Sequence, residues 1–75
     1  MDIPKISVDF NNADQKGRIR LNTVGTFRDI ERLQIELKEG MEVLLDDDEG
    51  LTTTGHLMFS NEEKIWVAEI NWDAL

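Results

Sequence analysis

The chain has 75 residues, 16 acidic and 8 basic side chains, and a formal charge of −8, a length that holds one compact domain over residues 1–75 and no second one. Hydrophobic residues make up 40 % and charged ones 32 %, enough for a core and too much for the disordered class. Cysteine is absent, which excludes a disulfide framework, a thiolate zinc site and a thiol nucleophile and suits a reducing cytoplasm.

The single proline, Pro4, precedes the first strand candidate. Residues 5–10 alternate polar and apolar, with Ile6, Val8 and Phe10 on one face, the period of a half-buried strand. Residues 11–17 carry Asn11, Asn12, Asp14 and Gly17 and read as a connection. A second strand over 18–22 points Ile19 and Leu21 inward and Arg18 and Arg20 outward, so the two runs are expected to form a hairpin. Thr26 followed by Asp29 predicts a helix start there, the hydroxyl accepting from an early amide and the carboxylate favouring the positive end. Phe27, Ile30 and Leu33 would be its buried stripe. A helix of two turns falls below the roughly 12–15 residues that hold alone, so it must lean on the sheet.

After Leu33 the period changes, because Ile35 and Leu37 alternate with Gln34, Glu36 and Lys38, and the stretch reads as extended up to a turn at Glu39-Gly40. The competing reading runs the helix on to Gly40 as its cap. Residues 41–45 form a third strand, and Asp46, Asp47, Asp48, Glu49 and Gly50 a loop. Residues 52–60 form a fourth strand, in which Gly55 marks a bulge or a close backbone approach. Residues 61–64 turn into a last strand over 65–71. Its two faces carry Trp66, Ala68 and Ile70 against Ile65 and Val67, as in a central strand. Five short strands and one minor helix predict a mainly β fold, a partly open antiparallel barrel of the SH3-like type. A flatter α+β sheet with the helix on one face is the alternative.

Charge is uneven along the chain. Residues 1–38 hold 6 acids and 7 bases, whereas residues 39–75 hold 10 acids and one base, Lys64. In the folded domain Arg18, Arg20, Arg28 and Arg32 are available to face some of the second half's carboxylates. The functional reading is an acidic face open to a basic partner, built from Asp46, Asp47, Asp48, Glu49, Glu62 and Glu63, with Trp72 at the rim of the last strand to anchor either the C-terminus or that partner.

Catalytic and ligand chemistry finds little support. A calcium loop needs oxygen ligands at positions 1, 3 and 5, glycine at 6 and glutamate at 12. Counting from Asp46 places Gly50 at 5, Leu51 at 6 and Leu57 at 12, so no metal site is expected. His56 is the only histidine, and same-face strand neighbours such as Thr54 lie about 7 Å away, too far for direct proton transfer. No phosphate-binding glycine motif occurs, and the acidic balance argues against direct nucleic-acid contact. No cofactor is expected. No apolar run approaches the roughly 20 residues of a membrane span, and residues 1–10 alternate too regularly and carry too much acid for a signal peptide.

The segments RLNTVGTFRDIERLQIELKEGMEVLLDDDE and KIWVAEINWDAL resemble a group of small acidic bacterial proteins of no assigned activity. The residues that carry the resemblance are Arg20, Leu21, Asn22, Gly25, Thr26, Ile35, Leu37, Glu39, Gly40, Trp66, Val67, Ala68 and Trp72. The resemblance implies no activity, and the acidic second half of the chain gives the expected function, a cytoplasmic, non-catalytic acidic module that binds a protein with a basic surface. A nucleic-acid-mimicking inhibitor of the antitoxin or anti-defence type is the alternative, although Leu44 after Glu42 and Asn71 after Glu69 interrupt its carboxylate rows. Strand edges and the Trp72 rim offer a route to a homodimer.

Overall fold

Alternating apolar residues build the sheet. The structure, a computed structural model, describes residues 3–75. Its elements are β1 (Lys5–Ser7), β2 (Ile19–Arg20), α1 (Val24–Leu33), β3 (Glu42–Asp46), β4 (Thr52–Ser60), β5 (Ile65–Ile70) and a 3-10 turn at Trp72–Ala74. The strands form one sheet in the order β1-β3-β4-β5-β2, curled into a half-barrel, so the fold is mainly β with one helix, as expected. Ile6, Val43, Leu45, Leu57, Ala68 and Ile19, one or more from every strand, meet in the core with Val8, Phe10 and Leu21. Val67 and Ala68 lie on opposite faces of β5 and both are fully buried, because β5 is an interior strand between β4 and β2. Gly55 marks a close approach within the sheet. A Cβ there would lie 3.1 Å from the Glu69 carbonyl oxygen and 3.1 Å from Leu45 Cδ1.

Several expectations need correction. Residues 5–10 and 18–22 do not pair. β1 runs parallel to β3 at one edge, with Ile6 opposite Leu45, and β2 lies at the other edge beside β5. The link between them joins the two edges and carries Val8 and Phe10 into the core. The true neighbour of β2 on its outer side is residues 12–14, held by Arg20 N–H to Asn12 O (2.9 Å) and Asp14 N–H to Arg18 O (2.9 Å). Arg18, expected outside, is buried at 8 % exposure against Met58 and the Asp14 carboxylate.

The helix starts earlier and buries a different face. Thr23 is the cap, its hydroxyl accepting the Thr26 N–H at 3.1 Å, and Gln34 ends the helix in the left-handed region, so the run does not continue to Gly40. Phe27 and Leu33 are 57 % and 44 % exposed, whereas Thr26 and Asp29 are buried. The reason is that α1 packs against a strand edge. Thr26 Oγ1 donates to the Ser7 carbonyl at 2.6 Å and the Ser7 N–H donates to Asp29 Oδ2 at 2.8 Å. Two residues three apart on one helix face thus satisfy the open edge of β1. Among the described residues no helix is long and apolar enough to cross a membrane.

Candidate functional site

The acidic run of the sequence is partly scaffold. In the loop between β3 and β4, Asp46 Oδ1 accepts the Asp48 N–H at 2.9 Å, and Asp47 Oδ1 accepts the N–H groups of Glu49 (2.8 Å) and Leu51 (3.0 Å). These local turns hold Asp48 (φ 64°) and Gly50 (φ 107°) in the left-handed region. Asp46 is further paired with Lys5 at 3.5 Å. Asp47, Asp48 and Glu49 enter no ion pair among the described residues. Asp9, thirty-eight positions earlier than Asp47 in the chain, joins them. Asp9, Asp47 and Glu49 line a shallow groove of about 410 Å³ whose other walls include Val8, Phe10 and the half-exposed Leu51. No pattern in the sequence points to Asp9, because the approach is made by tertiary folding alone.

Glu62 and Glu63 lie at the other end of β4. That strand spans nine residues, on the order of 25 Å at about 3.3 Å per residue, so the expected single patch from Asp46 to Glu63 does not form. Here the carboxylates are matched by cations. Glu63 takes a two-pronged contact from Arg20, Nε to Oε1 at 2.8 Å and Nη2 to Oε2 at 2.9 Å. Glu62 is 3.3 Å from Lys16 Nζ and 3.9 Å from Arg18. Asp14 receives the backbone N–H groups of Arg18 and Lys16 and the Arg18 Nε at 2.8 Å, with both side chains almost wholly shielded.

Protonation follows this geometry. Burial alone would raise the Asp14 carboxyl, but the Arg18 and Lys16 donors outweigh it and hold the group below the ordinary carboxylate range. Asp29 is likewise held low, burial being outweighed by the hydrogen bonds from Ser7 and Arg32. The Arg20 hydrogen bonds lower Glu63.

Trp72 is 43 % exposed and its indole N–H donates to the Gly17 carbonyl at 2.8 Å, pinning the C-terminal turn to the loop before β2. Trp66, half-buried, packs edge-on against Phe59 with ring centres 5.6 Å apart. On the exposed face of the sheet His56 is in register with Glu42 on one side and Glu69 on the other. Reading each strand by itself misses this row, since cross-strand register decides it. No group of three histidine, aspartate or glutamate side chains is placed to hold a metal ion among the described residues. No family model, no curated protein and no solved structure matches the chain.

Proposed function

We propose that this chain is a small acidic binding module of the cytoplasm that recruits a protein with a basic surface through the β3–β4 loop and acts without catalysis. The observation that supports the reading is the uncompensated charge of Asp47, Asp48 and Glu49, joined by Asp9, around a shallow groove in which Leu51 is the exposed apolar residue. Glu62 and Glu63, already matched by Lys16, Arg18 and Arg20, contribute little to attraction, and Trp72 serves to anchor the C-terminal turn. The loop is held by its own side chain to backbone bonds, so little ordering opposes binding. A basic side chain lying there can pack its aliphatic stem on the exposed Leu51 while its head meets the carboxylates.

Affinity capture from a bacterial lysate tests this. Retention of basic proteins at low salt, lost at high salt and lost when Asp47, Asp48 and Glu49 are replaced by their amides, is the expected result. Capture that ignores both changes rejects it. Displacement of DNA or RNA from the captured protein would instead support nucleic-acid mimicry.

A further inference from the structure

Because the inward face of α1 is occupied by the Thr26 and Asp29 contacts to Ser7, Val24, Phe27 and Leu33 are left outside. Val24 is 84 % exposed and Phe27 57 %. Below them opens an apolar groove of about 250 Å³ between Phe27, Ile30, Leu37, Phe59 and Trp66, with Lys64 as its charged wall. That volume falls under the roughly 300–1,000 Å³ of small-molecule sites and suits an inserted side chain. Glu31, exposed and four residues after Phe27, shares the helix face that carries it. Neither Glu31 nor Lys64 enters an ion pair among the described residues. Phe27 lines this groove and also stands 57 % exposed at its rim, so a rim aromatic, the groove beside it and one charge of each sign make a self-complementary patch, which is what a two-fold interface requires.

We propose that a second copy of this chain covers the groove, each Phe27 entering the groove of the other copy and each Lys64 meeting Glu31 of the other copy. Pairing through strand edges, the other route to a dimer, is obstructed by α1 at β1 and by residues 12–14 at β2. Each copy carries a charge of −8, so long-range repulsion opposes association and added salt strengthens it. That sign is opposite to the salt dependence of recruitment by the acidic loop, and the two surfaces stand or fall separately.

Sedimentation equilibrium of the full chain, from micromolar to millimolar concentration and at low and high salt, is the test. The expected result is a monomer–dimer equilibrium that tightens with salt and weakens at least about tenfold in Phe27→Ser, whose exposed position leaves the thermal transition in place. Lys64→Glu at moderate salt weakens the dimer as well, and adding Glu31→Lys to it restores association. A monomer at every concentration and salt, a dimer undiminished in folded Phe27→Ser, or no restoration in the double charge swap overturns the proposal.

Discussion

The two ends of β4 each gather carboxylates and use them differently. At the β4–β5 turn, Asp14, Glu62 and Glu63 face Lys16, Arg18 and Arg20, so negative charge there is tied into tertiary structure. At the β3–β4 loop, Asp46 and Asp47 shape the backbone while Asp48 and Glu49 project free of any cation among the described residues. Net charge is a poor guide to where a protein attracts. What matters is the residue left after internal pairing, and here internal pairing has emptied one end and spared the other. The first end holds the fold and the second is free to bind.

The contrast can be broken most severely at Asp14. Asp14→Ala leaves the buried Arg18 guanidinium with only the exposed Glu62 carboxylate at 3.9 Å, and urea titration should show a loss of about 3 kcal/mol, a large share of the roughly 4–11 kcal/mol expected for a chain this size. Asp47→Ala, at the other end, removes an acceptor for two loop amides close to solvent and should cost about 1 kcal/mol. Acid sharpens the same difference. Asp14, Asp29 and Glu63 have carboxyl values lowered by folding, so each contributes stability that is complete above the unfolded value of about 4 and is lost as pH falls through the lower folded value. A thermal melt followed from neutral pH into acid should therefore fall below about pH 4, and by less in Asp14→Asn. The smallest effect belongs to Asp48→Asn with Glu49→Gln, whose melting temperature should hold or rise slightly as loop repulsion is relieved. A marked fall would mean that these side chains support the fold after all.

Much of the core was legible because alternation reports which side of a strand is buried. Ile6, Val8, Phe10, Ile19 and Leu21 all lie inside. Alternation carries no information about the neighbour, however, and the hairpin expected between those two runs is replaced by a link from one sheet edge to the other. The helix shows the same limit. Thr23 and Thr26 are both competent caps, and the choice falls to Thr23 because Thr26 is drawn to the Ser7 carbonyl nineteen positions away in the chain. Phe27 looked like core by spacing, yet the edge of β1 demands polar partners and takes the face that bears Asp29. The acidic run was visible as a run. Its division into scaffold and free charge, the distance to Glu62 and Glu63, and the arrival of Asp9 depend on contacts between residues far apart in the chain.

The central claim is that attraction resides in the uncompensated loop. Its most direct test is the association rate of a captured basic partner, followed against ionic strength for the wild-type chain, for the loop with Asp47, Asp48 and Glu49 converted to amides, and for Glu62→Gln with Glu63→Gln. The account predicts that the loop variant loses both the fast rate and its salt dependence while the Glu62 and Glu63 variant keeps them. Equal losses in the two variants, or a greater loss in the second, would contradict it.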